Sequence, residues 1–529
     1  MRYFLLILLI FTGLNLNAQQ TAKLIQNAKG EISKDNYRKA VNILEPVIDN
    51  AKTNINKEAV MLTGFCFLNI AGEEEKAWRY LERAAILYPL NKKPSMDAIE
   101  VHLYLARSLH QNQRYDQAIV IYENLLSLVK PSKKGLIDII NSEMQYSKNA
   151  IELVKTPLDI KIFPLGEAIN SEFEEHSPIV ALDESTIYFT SNRPVKGMEK
   201  DGGDYFESIY VSYWRDGAWT EAKLLDLPGH YFGNRATVSL SADGNTLIFY
   251  QNDGYTGSLF MTKHNFRGWS EPVPLKINLD YSNETHASLS ADENQILFSS
   301  DRPGGYGGKD IYVSHLLPDG TWGQAINAGP NVNTPLDEES PFLSIDGELL
   351  YFSSEGHNSM GGFDIFVSKR REGTNEWLQA ENIGYPINTA NDDIFFIPTP
   401  DEQVVYYSSR RLGGIGETDL YIIAFPDDDS RALSVVSGFI FNPDETPNNN
   451  AMVRITDENN QSHGVYRSNS LTGRFVAILP TGINYKFEID AEGFKSQKLD
   501  IAVPLRDVYG TRQRATYVPN VFLESIDSK

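Results

Sequence analysis

The chain has 529 residues, and its formal net charge at neutral pH is −22. This charge argues against nucleic acid and anionic membrane surfaces as main partners, because binding to either requires basic patches. Hydrophobic residues make up 41% of the chain and aromatic residues 11%, which is too apolar for disorder, and the length predicts three or more domains.

Residues 1–18 have the features of a secretory signal peptide. Arg2 supplies a positive start, an apolar run extends from Phe4 to Phe11, and small or polar residues lead to a predicted cleavage after Ala18. A transmembrane anchor is the weaker alternative, because a span requires roughly 20 apolar residues. We therefore predict export without a membrane span.

Cys66 is the sole cysteine of the chain. It lies in an apolar stretch with helical character, which predicts a buried core thiol rather than a reactive one. A single cysteine excludes an internal disulfide, and no cysteine follows the signal region where a lipid would be attached. Export without either feature is typical of a bacterial periplasmic protein.

Three stretches within residues 19–156 share one spacing of small and large apolar residues. They are Ala40, Leu44 and Val47; Ala77, Leu81, Ala84 and Pro89; and Ala118, Tyr122, Leu125 and Pro131. Small alanines let two helices of a hairpin approach closely, and proline ends the second helix. The pattern resembles tetratricopeptide repeats. That resemblance implies a concave surface for peptides or protein segments, and the alternative is a packing spacer.

A second repeat, of about 50 residues, extends over residues 158–430. Ser299–Ser314 reads SSDRPGGYGGKDIYVS, and Ser353–Ser368 reads SSEGHNSMGGFDIFVS. The repeat combines a hairpin turn, an apolar strand, a glycine-rich loop and, in the first four copies, a strand with tryptophan. The turn aspartates are Asp183, Asp243, Asp292, Asp346 and Asp401. This count predicts a β-propeller of five blades, or of six if a degenerate blade is present.

The fifth repeat lacks the tryptophan strand. Residues 164–170, near the start of the domain, match the segments that follow this strand in the third and fourth repeats, 327–333 and 382–388. We therefore predict that residues 160–163 form the outer strand of the last blade, which closes the ring and removes its open edge.

The repeat resembles the PD40 family of WD40-like propeller repeats. The residues that carry the motif are the turn aspartates Asp243, Asp292 and Asp346, the loop aspartates Asp310, Asp364 and Asp419, and the blade arginines Arg302 and Arg410. A calcium site would need several carboxylates in each glycine-rich loop, and each loop has about one. We expect the loop aspartates instead to accept backbone N–H groups of their own loop or to pair with the blade arginine, and we expect no metal or cofactor.

Residues 431–529 resemble the carboxypeptidase regulatory-like domain, a small transthyretin-type β-sandwich. The segments that carry this resemblance include Ala451–Ile455, Leu479–Gly482, Tyr485–Ile489 and Ala491–Phe494. The resemblance implies a spacer or an interaction module without catalytic residues.

The order of helical repeats, PD40 propeller and regulatory-like sandwich resembles multidomain envelope proteins of Bacteroidetes, of the PorE type in the type IX secretion system. Those proteins usually continue into an OmpA-like domain that binds peptidoglycan, and this sequence contains no such motif. The resemblance implies a periplasmic protein at the outer membrane. Its partners would be envelope or outer-membrane proteins, with secretion components among the candidates and peptidoglycan binding unsupported.

The sequence contains no nucleophile elbow, phosphate loop, His-Glu-x-x-His or Cys-x-x-Cys. We therefore expect that the chain is not an enzyme and that it acts as a scaffold in envelope assembly or type IX secretion. The alternative is a periplasmic receptor that binds a glycan or peptide through aromatic blade loops with Tyr255, Tyr306 and Phe363.

Overall fold

The computed structural model describes residues 18–48, 55–197, 200, 205–229, 231–252, 257–265, 268–279, 281–411, 413–425, 433–448, 450–469, 472–504 and 515–526. The predicted signal peptide lies almost entirely outside these residues. The chain divides into two compact units, Met1–Glu152 and Leu153–Lys529. Within the described part of the chain, no helix is both long enough and apolar enough to span a membrane.

The N-terminal region contains seven helices among its described residues. They are α1 (Ala18–Ile32), α2 (Tyr37–Ile48), α3 (Lys57–Leu68), α4 (Glu74–Leu87), α5 (Met96–Gln111), α6 (Tyr115–Leu128) and α7 (Lys134–Leu153). The side chains of Asn56 and Ser95 accept the backbone N–H groups of Ala59 and Ala98 and so cap α3 and α5.

Helices α1 to α5 each contact the next helix along the chain, which gives a series of helical hairpins. The small residues of the sequence pattern are fully buried, among them Ala40, Ala77 and Ala118. Cys66 is also buried, and burial raises the pKa of its thiol to about 12. This confirms the prediction of an inert core thiol.

Strand β1 (Lys161–Pro164) precedes five antiparallel sheets, numbered here in chain order. Sheet 1 contains β2 (Glu175–Val180), β3 (Thr186–Ser191), β4 (Ser208–Arg215), β5 (Ala218–Trp219) and β6 (Lys223–Leu224). Sheet 2 contains β7 (Asn234–Leu240), β8 (Thr246–Asn252), β9 (Gly257–Asn265), β10 (Gly268–Trp269) and β11 (Val273–Pro274). Sheet 3 contains β12 (Glu284–Leu289), β13 (Gln295–Ser300), β14 (Asp310–His315) and β15 (Ile326–Asn327).

Sheet 4 contains β16 (Glu338–Leu343), β17 (Leu349–Ser354), β18 (Asp364–Lys369) and β19 (Glu381–Asn382). Sheet 5 contains β20 (Asp393–Pro398), β21 (Val404–Ser409), β22 (Asp419–Ala424) and, as its outer strand, β1.

The first strands of the five sheets contact one another in a closed cycle. Strand β2 contacts β7, β7 contacts β12, β12 contacts β16, β16 contacts β20, and β20 contacts β2. The sheets are therefore arranged around a common centre, as in a β-propeller.

Strand β1 pairs with β22 in antiparallel register, from Lys161 opposite Ala424 to Pro164 opposite Tyr421. The start and end of the ring thus share one sheet. This confirms the prediction that the segment at 160–163 supplies the outer strand of the last repeat.

The last eight strands form a two-layer β-sandwich. They are β23 (Leu433–Phe441), β24 (Met452–Asp457), β25 (Ser462–Arg467), β26 (Arg474–Pro480), β27 (Ile483–Asp490), β28 (Gln497–Val503), β29 (Ala515–Tyr517) and β30 (Val521–Phe522). One layer has β23 between β26 and the pair β29 and β30, and the other has the order β25-β24-β27-β28. Alternate residues of both layers meet in one apolar core, in which the rings of Phe475 and Phe487 are 6.2 Å apart.

The sandwich contacts the propeller at the turns between the first two strands of sheets 1 and 2. Arg474 donates to the carboxylate of Asp183 at 3.1 Å and to the backbone carbonyl of Asp243 at 2.8 Å. Asn469 donates to the Asp243 carboxylate, and Asn245 donates to Thr472 at 3.3 Å. We call this end of the ring the sandwich end and the opposite end, where the glycine-rich loops lie, the open end.

Candidate functional site

The turn aspartates Asp243, Asp292 and Asp346 organise the hairpins at the sandwich end. Each carboxylate accepts a hydroxyl from the serine two residues before it at 2.6 Å. Each also accepts the backbone N–H two residues after it, at 2.9 to 3.1 Å. These are local turns of the Asx type, and their geometry supports the fold rather than a ligand.

The loop aspartates Asp310, Asp364 and Asp419 lie at the start of the third strand of sheets 3, 4 and 5. They accept backbone N–H groups from their own glycine-rich loops: Gly307 to Asp310 at 3.1 Å, Met360 to Asp364 at 2.8 Å and Gly416 to Asp419 at 3.2 Å. Asn327 and Asn382 donate to Asp310 and Asp364 at 2.7 and 2.8 Å. Of the two kinds of contact that we expected, these are hydrogen bonds from backbone N–H groups of the same loop. Among the described contacts, the loop aspartates make no ion pair with the blade arginine.

Arg302 holds the start of sheet 3 together. It donates to the Glu284 carboxylate at 3.1 Å and to the Ile277 carbonyl at 3.0 Å, and its guanidinium lies 4.6 Å from the centre of the Phe298 ring. Arg193 has the same role in sheet 1, where it contacts Glu175 at 3.1 Å.

The choice of Arg410 as the equivalent residue of sheet 5 was wrong by one position. Arg411 donates to the Ile387 carbonyl at 3.0 Å and lies 5.4 Å from the Tyr407 ring centre. The two arginines are adjacent in sequence. Only Arg411 follows Ser409 at the same distance at which Arg302 follows Ser300, and successive residues point in different directions.

Four buried carboxylates anchor the first strands of sheets 1, 3, 4 and 5, a role that the sequence interpretation missed. They are Glu175, Glu284, Glu338 and Asp393. Each accepts the hydroxyl of a serine sixteen residues later, at 2.7 to 2.9 Å. This constant spacing of an acidic residue and a serine is visible in the sequence and could have revealed the contact.

Sheet 4 differs from the others because Gly356 occupies the position of the blade arginine. The next residue, His357, bonds the Val332 carbonyl at 2.8 Å and lies 5.0 Å from the Phe366 ring, so it makes the carbonyl and ring contacts of the arginine. It does not replace the positive charge beside Glu338. Burial raises the pKa of Glu338 to about 7, against hydrogen bonds from Thr334 and Ser354 that lower it.

A cluster of charged and aromatic side chains surrounds the mouth of the central channel at the open end. This mouth cluster consists of His176, Glu207, His286, Lys309, Glu339 and Phe395. The rings of His176 and His286 lie 5.7 and 5.1 Å from the Phe395 ring. His286 and Lys309 both pair with the Glu339 carboxylate, and His176 lies 3.8 Å from that of Glu207.

Four members of the cluster, His176, His286, Glu339 and Phe395, lie at bulges in the first strands of their sheets. The register shifts after His176, Glu284, Glu339 and Ile394. At three of these bulges a non-glycine residue has positive φ: Ser177 at 50°, Ser340 at 51° and Phe395 at 59°. Such backbone is unfavourable for residues with a β-carbon and is often found at functional sites.

The mouth cluster holds fixed charges of both signs. Burial alone would raise the pKa of Glu339, but His286 and Lys309 outweigh it and lower the pKa to about 2. Burial alone would lower the pKa of His176, but the carboxylate of Glu207 raises that pKa above its usual value. In the same way, Glu339 raises the pKa of Lys309 against the effect of burial. The cluster can therefore offer both cationic and anionic groups to a partner.

The loops around this mouth carry exposed large apolar side chains. They are Phe232 (63% exposed), Tyr281 (71%), Tyr306 (52%), Leu336 (38%) and Ile415 (47%). All five lie in loops before the first strand or between the second and third strands of a sheet, so they share the open end. The pocket in the channel at this end, lined by Ser177, His286, Ser340 and Phe395 among others, holds only about 20 Å³, whereas small-molecule sites usually hold roughly 300 Å³ or more. The open end is thus a surface rather than a deep pocket.

The sequence interpretation also missed the mouth cluster. His176 and His286 are far apart in the chain and share no spacing with a known motif. Only the closed arrangement of the five sheets brings both histidines next to the side chain of Phe395. No group of three or more metal-ligating side chains occurs among the residues that the structure describes.

Comparison with solved structures finds other proteins of similar architecture at low similarity. TolB from Acinetobacter baumannii is 16% identical over 56% of this chain and 71% of its own length, with a TM-score of 0.33. The gluconolactonase XC5397 from Xanthomonas campestris is 14% identical over 52% of this chain and 92% of its own length, with a TM-score of 0.29. The endo-arabinase from Bacteroides thetaiotaomicron VPI-5482 is 13% identical over 51% of this chain and 98% of its own length, with a TM-score of 0.33.

No protein-family model matches the sequence. No curated protein matches it either. At these TM-scores the structural similarities assign no ligand, partner or activity to this chain.

The prediction that the chain is not an enzyme was wrong. It rested on the absence of familiar motifs and on the interaction character of the modules. A gluconolactonase and an endo-arabinase are among the similar structures, and this finding contradicts the prediction. Short motifs are a poor guide here, because a propeller assembles its central groups from several distant strands.

Proposed function

We propose that this chain is an exported protein of the bacterial envelope that binds a partner protein through the open end of its propeller. The exposed apolar ring of Phe232, Tyr281, Tyr306, Leu336 and Ile415 around the charged mouth cluster is the observation that carries the proposal. Exposed aromatic residues are enriched at protein interfaces, where they supply much of the binding energy.

The other end of the ring is less suited to a partner. The chain's own sandwich contacts two of its turns there through Arg474 and Asn469. A partner that binds at the open end would not have to displace the contacts of Arg474 and Asn469. Its charged side chains could pair with Lys309 and Glu339 at the mouth, and charge complementarity of this kind gives specificity more than affinity.

Several finer points belong to the same proposal. We infer that the five sheets are the complete set of blades, that the helical hairpins are a tetratricopeptide-type array, and that the sandwich is of the transthyretin type. A cleaved signal peptide at residues 1–18 would deliver the chain to the periplasm. Association with the outer membrane and a role in type IX secretion, as in PorE-type proteins, would fit this module order.

The test is recovery of partners with the tagged full-length chain from gently solubilised envelopes. One variant combines Phe232→Ala, Tyr281→Ala and Tyr306→Ala. A matched control combines Leu224→Ala and Ile326→Ala, which are exposed apolar residues (47% and 63%) on the outer strands. We expect the first variant to lose the partner at least tenfold and the control to retain it. Recovery of the bait alone with the wild-type chain would contradict the proposal.

A glycan receptor is the second candidate, because the same exposed rings could stack on sugars. It predicts that one class of glycan raises the melting temperature of the wild-type chain and not that of the triple variant. A protein partner recovered without any glycan effect would decide for the first candidate.

A further inference from the structure

Four sheets each place a tryptophan against the preceding sheet of the ring. Trp219 of sheet 1 lies 6.5 Å from the ring of Tyr406 in sheet 5, and Trp269 of sheet 2 lies 6.1 Å from that of Tyr188 in sheet 1. Trp322 of sheet 3 joins an apolar cluster with β8 and β9 of sheet 2. Trp377 of sheet 4 joins a cluster with β13 and β14 of sheet 3. An indole thus fills the outer part of four of the five junctions.

The junction between sheets 4 and 5 has no such indole. In sheets 3 and 4 the tryptophan pairs with the residue after the third strand, Leu316 or Arg370. The equivalent residue of sheet 5 is Phe425, because its N–H bonds the Gln403 carbonyl as that of Arg370 bonds Glu348. The register of β1, continued by one residue, brings Ile160 opposite Phe425 in place of an indole.

A cavity of about 400 Å³ lies at this junction. Its apolar lining comes from sheet 4 with Tyr351 and Val367, from sheet 5 with Phe396 and Val405, and from Leu158 before β1. An engineered apolar cavity of about 150 Å³ in another protein takes up benzene. The cavity between sheets 4 and 5 is therefore large enough for a bicyclic aromatic ring.

The chain has no tryptophan left to fill this space. Of its six tryptophans, four occupy the other junctions, Trp214 contacts Trp219 at 5.2 Å, and Trp78 lies in α4. Residues 426–432, which follow Phe425, contain no aromatic residue. A tryptophan side chain at this junction would therefore have to come from another molecule.

We propose that the cavity between sheets 4 and 5 is a binding site for an indole-sized aromatic group, the chemistry that fills the other junctions of the ring. The rim carries the carboxylates of Glu381 and Glu402, which can accept the indole N–H. Their negative charge favours a neutral or cationic aromatic group over an anionic one. This site lies on the side of the ring and is independent of the open end.

Calorimetric titration of the full-length protein with indole and with N-acetyl-L-tryptophanamide tests the proposal. We expect one binding site per chain. Binding of both probes would identify a tryptophan side chain of a partner as a fitting ligand, whereas binding of indole alone would identify a free aromatic compound. Binding of neither probe at millimolar concentration would overturn the proposal.

Variants that place a tryptophan of the chain itself in the cavity provide the comparison with the wild type. In Ile160→Trp an indole is added at the junction itself, and in Leu158→Trp it is added at the rim. We expect each variant to weaken probe binding at least tenfold and to melt no lower than the wild type. The control Leu224→Trp adds an indole on an exposed outer strand and should bind the probe like the wild type. Unchanged binding in both filled variants would place the probe elsewhere and contradict the proposal.

Discussion

Replacing Glu338 by glutamine should remove a large part of the pH dependence of this protein's stability. Glu338 is fully buried in sheet 4 and accepts hydrogen bonds from the N–H of Thr334 at 2.8 Å and the hydroxyl of Ser354 at 2.8 Å. Its counterpart in sheet 3 has Arg302 beside it, whereas Gly356 occupies that position in sheet 4. Among the residues that the structure describes, no cation pairs with Glu338 to compensate the burial of its carboxylate.

The magnitude follows from the change in pKa on folding. Burial raises the pKa of Glu338 from its usual 4.5 to about 7. The folded protein then binds a proton that the unfolded chain has released, so stability is full at low pH and falls as the pH rises between these two values. A tenfold change in proton affinity corresponds to about 1.4 kcal/mol. Between about pH 5 and about pH 8 the cost is about 2 to 3 kcal/mol.

Urea denaturation of wild type and Glu338→Gln at both pH values measures this cost. Glutamine keeps the size and one acceptor but does not ionise, so the loss of stability with rising pH should shrink by about 2 to 3 kcal/mol. The control is Glu284→Gln, which leaves the guanidinium of Arg302 buried without its carboxylate and should lower stability by about 3 kcal/mol at neutral pH. Parallel pH profiles for wild type and Glu338→Gln would refute the reasoning.

Trp377 is 3% exposed, and Trp377→Ala should lower the free energy of unfolding by about 3 to 5 kcal/mol in urea denaturation. Added indole should restore part of this loss. No effect of indole on the variant would contradict the packing described for this residue. Arg474→Met removes the guanidinium that pairs with Asp183, whose side chain is 7% exposed, and should cost about 3 kcal/mol, with faster amide exchange at the contacts of the sandwich. Unchanged exchange would show that the contact is dispensable. Because Asp310 and Asp364 are held by backbone N–H groups, added calcium should leave the melting temperature unchanged, and a clear rise would overturn that interpretation.

The repeat itself was readable from the sequence because its key contacts are local. Asp243, Asp292 and Asp346 bond residues two positions away, so their turns leave a fixed motif in each repeat. The closing strand was also predictable, because the segment after β1 repeats the sequence that follows the outer strands of sheets 3 and 4. Local contacts and internal repetition are the two signals that a single sequence carries strongly.

The candidate site could not be read in the same way. The mouth cluster joins His176, His286 and Phe395 from three sheets, and each position has a different residue type in the remaining repeats. Comparison of the repeats therefore gives no sequence motif for the site. The misplacement of Arg410 had a local cause: two arginines are adjacent, and only the count of residues from the preceding serine, two in both Ser300–Arg302 and Ser409–Arg411, selects Arg411.

The central claim is that the open end of the propeller contacts a partner protein. A photo-crosslinking residue in place of Tyr306 at the open end, and the same residue in place of Leu224 on an outer strand, test it directly in intact cells. The account predicts crosslinks to a partner from position 306 and none from position 224. Crosslinks from position 224 alone, or from neither position while the chain is present at normal levels, would contradict it.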